Sequence, residues 1–246
     1  MCGSGREVYL SVVAPAYNEE ANIGKLVEQV KAAMAGFDRS WELVIVDDGS
    51  TDSSVEVLRS LMAKNVFLRV VRMKKNSGQS AAVEAGIRHA YGSVIATTDS
   101  DLQNDPNEIP RMAALLKDGG CDFVNGWRRR RNDPWIRLVS TKIANGVRNW
   151  LTSETIHDSA CGLKVFRREC LSEMKLFNGM HRFLPTLAKL QGYKVVEVEV
   201  NHRPRVAGKA KYGVWNRVFC GFRDIFGVRW MASRLVVYEA EELEKF

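Results

Sequence analysis

Residues 9–34, YLSVVAPAYNEEANIGKLVEQVKAAM, change period part-way through. Positions 9–17 form a nearly continuous apolar run of strand length, and the remainder then places Ile23, Leu26, Val27, Val30 and Met34 at helical spacing. A buried strand followed at once by an amphipathic helix is one β-α unit. The pattern recurs: WELVIVDDG (41–49) and VFLRVVRM (66–73) read as strands, SSVEVLRSLM (53–62) and GQSAAVEAGIRHA (78–90) as helices. SVIATTDSD (93–101) and CDFVNG (121–126) continue the series of strands. This alternation predicts an α/β fold, a mostly parallel sheet with helices on both faces, whose ligands gather at the carboxyl ends of the strands.

The polar residues cluster at those ends. The strand at 93 runs into DSDLQNDP (99–106), where Asp99 and Asp101 are two apart, so in extended backbone both carboxylates face the same way. Protonation or a cation relieves that repulsion, and at neutral pH a hard divalent cation with oxygen ligands and a bound diphosphate explains the pair most simply, with Gln103 offering a neutral oxygen; the bland alternative is a solvated loop. Asp105, followed by Pro106 and Glu108, reads instead as a helix N-cap with proline in the first turn. The second strand ends in Asp47 and Asp48, carboxylates suited to ribose hydroxyls or a base N–H, while Ser50 or Asp52 caps the next helix. The first strand ends PAYNEE, which is neither a dinucleotide-binding glycine fingerprint nor a P-loop.

After residue 126 the character changes to WRRRRNDPWIRLVSTKIANGVRNWL, a basic segment leading into a predicted helix, and KVVEVEVNHRPR (194–205) reads as a further strand. Residues 214–231 form a candidate basic amphipathic helix, with Trp215, Phe219, Phe222, Phe226 and Trp230 among Arg217, Arg223 and Arg229. Such a helix either packs on the core or lies at a membrane interface.

Length and composition bound the rest. The 246 residues suffice for one main domain; 46% hydrophobic and 26% charged residues are ordinary globular values, and a net charge of +7 favours an anionic partner. Five cysteines, with no C-x-x-C spacing, argue against a disulfide framework or zinc site and fit a reducing setting. The four histidines show no metal-ligand spacing, and His157, beside Asp158, is the one nearest the candidate site. No signal core and no run of roughly 20 apolar residues is present, so no membrane span is expected. A nucleic-acid-binding module is the competing reading of the charge, but no helix-turn-helix, zinc-finger or RNP-like pattern accompanies it.

VVAPAYNEE, VIVDDGSTD, NSGQSAAVEAGIRHAYG and DSDLQNDP, together with GKAKYG near the C-terminus, resemble the family 2 inverting glycosyltransferases. Within them the nearest group makes dolichyl- or polyprenyl-phosphate sugars, and the resemblance covers roughly residues 9–216. It implies a GT-A catalytic domain over residues 1–212, followed by a membrane-proximal or packing helix and polar tail over 213–246. It further implies that Pro15, Tyr17, Glu19, Asp47, Asp48 and Asp99 line the nucleotide pocket and that Asp99, Asp101 and Gln103 hold Mg²⁺ or Mn²⁺. Arg128, Arg137 and Thr141 resemble the acceptor-phosphate residues, although which of Arg128 to Arg131 meets the phosphate is open. Asp158 matches an acid near the acceptor, and Arg167 with Arg168 is expected to begin a helix. Arg203, Arg205, Lys209 and Lys211 match a basic loop over the donor phosphates.

By this resemblance the partners are a nucleotide-sugar donor, with UDP favoured over GDP, and a polyprenyl-phosphate acceptor at the cytoplasmic side of a membrane, bound peripherally. Transfer to a saccharide hydroxyl, with Asp158 as general base, is the alternative, and a non-catalytic membrane scaffold is a third reading. A lipid phosphate monoester is largely anionic at neutral pH, so it needs no base, and Asp158 is expected to orient a donor hydroxyl or an arginine.

Overall fold

The computed structural model describes residues 7–117, 119–129, 156–172, 177–203, 224 and 226–234. Seven strands form one sheet in the order β3-β2-β1-β4-β6-β5-β7. They are β1 (Leu10–Ala16), β2 (Trp41–Asp47), β3 (Leu68–Arg72), β4 (Val94–Thr97), β5 (Phe123–Trp127), β6 (Lys164–Arg167) and β7 (Val195–Glu199). All run parallel except β6, which pairs antiparallel to both β4 and β5.

The helices are α1 (Glu20–Ala33), α2 (Ser54–Met62), α3 (Gln79–His89), α4 (Glu108–Lys117), the short α5 (Glu169–Ser172) and α6 (Leu184–Leu190). In α1, Ile23, Leu26, Val27 and Val30 are buried, and Glu20 and Lys31 oppose the helix dipole at either end. The two faces of β1 go to different cores: Leu10, Val12 and Ala14 join the cluster under α1 and α4, whereas Val13 joins the one under α3 and α6. A sheet covered on both faces explains why its strands read as apolar runs rather than alternations.

Two elements depart from the sequence reading. The strand expected over 93–101 ends at Thr97, where its pairing with β6 stops at Lys164, and Leu102, at φ 62, turns the chain beyond it. Arg167 does not begin a helix: it closes β6, Arg168 is the turn, and α5 starts at Glu169. Phe166 stacks on Phe123 of the neighbouring strand at 4.8 Å, which fixes the register of the four-residue β6.

Most of the 214–231 segment lies outside the described residues, but helix α7 (226–234) has two distinct faces. Val228 is fully buried in the cluster with Met180, Phe183 and Leu184, and Met231 packs against it. Phe226 and Trp230, one turn apart, stay 60% and 64% exposed. Gly179, at φ 90, allows this docking: a Cβ there would collide with the Asp224 carboxylate.

Candidate active site

β1 leads through α1 to β2 on one side, whereas β4 returns to its other side, so the chain reverses direction between β1 and β4. Crevices at such reversals, outside the carboxyl ends of the strands, are where ligands bind in open α/β sheets. Pro15, Tyr17, Glu19, Asp47, Asp48, Asp99, Asp101, Gln103, Arg128 and Arg203 all stand on that edge, because each lies at or just after the end of a parallel strand. Asp158 reaches it from the segment that enters β6, which starts at the same edge by running the opposite way.

On the β1–β2 side the loops are laced together. Asn18, at φ 51, donates its N–H to Ser50 Oγ and accepts from Thr51 N at 2.8 Å, while Glu19 N donates to Ser54 Oγ. The Glu19 carboxylate accepts from Asn22 Nδ2 at 2.7 Å. Asp52 acts on the start of α2, accepting from Ser54 N at 3.0 Å. Asp48 holds the fold together here, its two oxygens accepting from Ser77 N and Gly78 N at 2.8 and 2.9 Å and so tying down the loop before α3.

Asp47 differs. It is fully buried; Oδ1 accepts from Ser50 N, but Oδ2 accepts no hydrogen bond among the described residues and lies 3.7 Å from Arg72 Nε. A buried carboxylate oxygen without a donor is costly, and a ligand N–H or hydroxyl would satisfy it.

On the β4 side, Asp99 is held by neutral amides, Oδ1 accepting from Gln79 Nε2 at 2.9 Å and Oδ2 facing Asn104 Nδ2 at 3.4 Å. Gly162 presses against it, and a Cβ at 162 would collide with Asp99 Oδ2. Asp101 Oδ1 accepts from Gln103 N at 3.1 Å across the strained Leu102 turn. Backbone strain of this kind in a non-glycine residue marks functional sites. The donor set suits a hard cation: two carboxylates and an amide oxygen are Mg²⁺ or Mn²⁺ chemistry. Among the described residues no ready-made group of three His, Cys, Asp or Glu ligands exists, so a cation held here would need Gln103, water or ligand oxygens as well.

Asp105 and Arg203 are partners. Asp105 Oδ1 accepts from Asn107 N at 3.1 Å, as its capping role requires, and from Arg203 Nη2 at 2.8 Å. Arg203 also donates from its backbone to Gln103 O, and Asn104 bridges to His202. The start of the expected basic loop is therefore anchored on the acidic turn. Arg205, Lys209 and Lys211 lie outside the described residues, as do Arg130, Arg131, Arg137 and Thr141.

Across the crevice, Arg128 and Asp158 form a two-point ion pair, Nε to Oδ2 at 2.8 Å and Nη2 to Oδ1 at 3.0 Å. Burial works against the guanidinium charge, but the Asp158 carboxylate outweighs it and holds the Arg128 pKa above its ordinary value. Behind the pair lies Lys164, fully buried, donating to Cys161 O; burial pushes its pKa down, opposed by Cys161, Asp99 and Asp158. Burial likewise raises the pKa of the Cys161 thiol. Trp127 and His157 stack at the rim, ring centroids 4.5 Å apart, and His157 Nδ1 lies 2.8 Å from Glu197.

The sequence reading did not single out Gln79, Asn104, Gly162, Lys164 or Glu197 as site residues. Gln79 and Asn104 lie within the motifs quoted for the resemblance, but nothing in their own residue type marked them as partners of Asp99. Glu197 carried one: a carboxylate in the middle of the apolar run VVEVEV is out of place unless something meets it.

Comparison with known proteins places this geometry. The Glycosyl transferase family 2 model matches residues 11–174. A dodecaprenyl-phosphate galacturonate synthase from Rhizobium johnstonii is 40% identical over 223 residues, which is 89% of this chain and 66% of that protein. An undecaprenyl-phosphate 4-deoxy-4-formamido-L-arabinose transferase from Aeromonas hydrophila is 36% identical over 210 residues, 85% of this chain and 64% of that protein. The chain thus spans just under two thirds of the length of these curated relatives. Among solved structures, glucosyl-3-phosphoglycerate synthase from Mycobacterium tuberculosis, in complex with Mn²⁺, UDP and glucosyl-3-phosphoglycerate, superposes with a TM-score of 0.69 at 19% identity, over 94% of this chain and 81% of that one. The mannosyltransferase PcManGT from Pyrobaculum calidifontis, in complex with GDP-Man and Mn²⁺, gives 0.63 at 19% identity, over 92% and 70%. The fold is that of these GT-A-like enzymes, and with its model spanning 11–174 the chain belongs to glycosyl transferase family 2.

Proposed function

We infer that the chain is a metal-dependent inverting glycosyltransferase that moves a sugar from a nucleoside diphosphate, UDP in preference to GDP, to a polyprenyl phosphate. The observation that carries this is one crevice whose two sides differ in chemistry, carboxylates on one and an arginine oriented by an aspartate on the other. Asp47, Asp99 and Asp101 stand on the β2 and β4 side, and the buried Arg128–Asp158 pair stands across from them. The first side suits a cation-bound diphosphate, and the second brings a cation to an incoming phosphate. Both relatives described above are named as polyprenyl-phosphate sugar transferases, which supports the acceptor class. The preference for UDP rests on the resemblance of DSACGLKVF to bacterial members.

Asp99, Asp101 and Gln103 are the residues that would hold Mg²⁺ or Mn²⁺. When bound, the ion supplies Lewis acidity to the departing diphosphate. Asp47 Oδ2, which accepts no hydrogen bond among the described residues, would accept from the base or ribose. A phosphate oxygen attacks the anomeric carbon in line as the bond to the nucleoside diphosphate breaks, giving inversion. Asp158 engages Arg128 with both oxygens, so it serves as an orienting group rather than a base. That favours a phosphate acceptor over a saccharide hydroxyl, whose proton would need an available carboxylate.

Membrane contact falls to α7, whose buried Val228 docks it to the core while Phe226, Arg229 and Trp230 face outward. No helix among the described residues is long and apolar enough to cross a membrane. The reading places the chain peripherally on the cytoplasmic side, where polyprenyl phosphate is presented.

The test is transfer from radiolabelled UDP- and GDP-sugars to a short-chain polyprenyl phosphate with Mn²⁺, Mg²⁺ or chelator. Lipid-linked product that needs metal and a UDP-sugar is expected. Product on a free saccharide and none on the lipid would replace the acceptor.

A further inference from the structure

Glu197 lies in the middle of β7, at the opposite edge of the sheet from β3. Strand geometry puts Glu197 and Glu199 on one face. Glu199 meets Arg129 at 2.6 Å with both side chains more than half exposed, as edge-strand charges usually do. Glu197 turns inward instead, and its carboxylate collects four contacts from two other segments.

Oε1 accepts from Asn125 Nδ2 at 3.0 Å and from Asp158 N at 3.2 Å. Oε2 accepts from His157 N at 2.8 Å and lies 2.8 Å from His157 Nδ1. Asn125 Nδ2 is shared, donating also to Asp158 O at 3.0 Å. Three of the four contacts to Glu197 fall on two consecutive residues, so one carboxylate clamps the backbone at the point where the Asp158 side chain departs. That side chain in turn grips Arg128 by Nε, Nη2 and the backbone N–H.

We propose that Glu197 is a positioning residue for the acceptor phosphate: it sets Asp158, and Asp158 aims the Arg128 guanidinium. The proposal rests on the polyprenyl-phosphate reading for its kinetic consequence and on geometry alone for its structural one. A clamp of this sort lowers the reorganisation needed when the phosphate arrives, as outer-shell carboxylates do around metal-ligating histidines. Glu197 touches no reacting atom, so its effect belongs to acceptor use and not to donor binding.

The decisive variant is Glu197→Gln, which keeps the volume but turns an amide nitrogen toward N–H donors. Glu199→Gln, on the same face of the same strand, is the control. Exchange of the Arg128 Nε–H is followed by NMR on the ¹⁵N-labelled chain, assigned by its loss in Arg128→Lys. Steady-state kinetics are run with UDP-sugar, Mn²⁺ and short-chain polyprenyl phosphate.

In Glu197→Gln the Arg128 Nε–H is expected to exchange faster, and kcat/KM for the lipid to fall on the order of 10–100-fold, with donor KM unchanged. Glu197→Asp is expected to recover part of that loss, and Glu199→Gln to match wild type in both readouts. Wild-type exchange at Arg128 in Glu197→Gln overturns the proposal, and so does a loss shared equally between donor and acceptor. Should wild-type protein transfer nothing to polyprenyl phosphate, the acceptor reading fails by itself, and the exchange measurement still decides whether Glu197 positions Arg128.

Discussion

The Arg128 guanidinium and the Asp158 carboxylate meet edge to edge, with 16% of the arginine side chain and 2% of the aspartate exposed. Removing one partner leaves the other charge largely buried without its counter-ion. Asp158→Ala is expected to cost about 3–5 kcal/mol of unfolding free energy, the usual result of breaking a buried pair. Asp158→Asn, which keeps the shape and part of the hydrogen bonding, should cost less. Urea denaturation of the two variants checks the order, and equal costs would show that the charge contributes little.

Asp101→Ala removes a proposed cation ligand from the turn after β4 while leaving the buried strand intact. Thermal stabilisation by UDP with Mn²⁺ is expected to vanish in this variant, with the melting temperature of the ligand-free chain little changed. Stabilisation scales with the logarithm of ligand over Kd, so at about 100 Kd a loss of roughly 2.7 kcal/mol is measurable. Retained metal-dependent stabilisation would move the cation elsewhere.

Gly162→Ala tests the same cation site through Asp99, from the back of its carboxylate. The added methyl collides with Asp99 Oδ2 and must push the carboxylate away from Gln79 and Asn104. Weaker Mn²⁺-dependent UDP binding is expected, by on the order of tenfold, the range seen when groups supporting a metal ligand are disturbed. Calorimetric titration of UDP with and without Mn²⁺ measures it, and an unchanged metal dependence would show that Asp99 does not need its present seat.

Burial pushes the Cys170 thiol up to about 12 from an ordinary value of 9.0. The native pKa lies above the unfolded one, so the associated stability is fully present below pH 9 and is lost as the pH rises through 12. Unfolding free energy should therefore decline across that window, and Cys170→Ala should flatten part of the decline. Parallel pH profiles for the two proteins would assign the alkaline loss to other groups.

The outward face of α7 is separable from the inward one. Replacing Phe226 and Trp230 together by Ser should leave the melting temperature nearly unchanged and reduce co-sedimentation with anionic vesicles. Val228→Asp should instead destabilise the chain, since it places a charge among Met180, Phe183 and Leu184. Vesicle binding that survives loss of both aromatic rings would assign membrane contact to another surface.

The sheet was legible because its early strands are buried on both faces and its helices follow them directly, as in residues 9–34. The acids were legible for a related reason: a carboxylate at the end of an apolar run stands out. β6 was harder. Its four residues begin with Lys164 and end with Arg167, a run too short and too charged to read as a strand, and the stack of Phe166 on Phe123 that fixes them joins positions far apart in sequence. Arg128 was singled out by resemblance within its basic run, but its lock on Asp158 joins residues 30 apart, and the clamp at Glu197 lies on a third segment 39 residues further along. Such partners are set by how the strands come together, which local spacing does not encode.

The antiparallel β6 also bears on how the protein leaves the ribosome. β1, β2, β3 and β4 can assemble once residue 97 has emerged, but the far edge of β4 stays unpaired until Lys164–Arg167 follow it. At about 5–20 residues per second, synthesis of the intervening chain takes on the order of 3–13 s. Throughout that interval the nascent protein presents an open apolar strand, Val94–Thr97, to whatever is nearby. A chaperone that shields β4 during translation should raise the soluble yield more than one added after release.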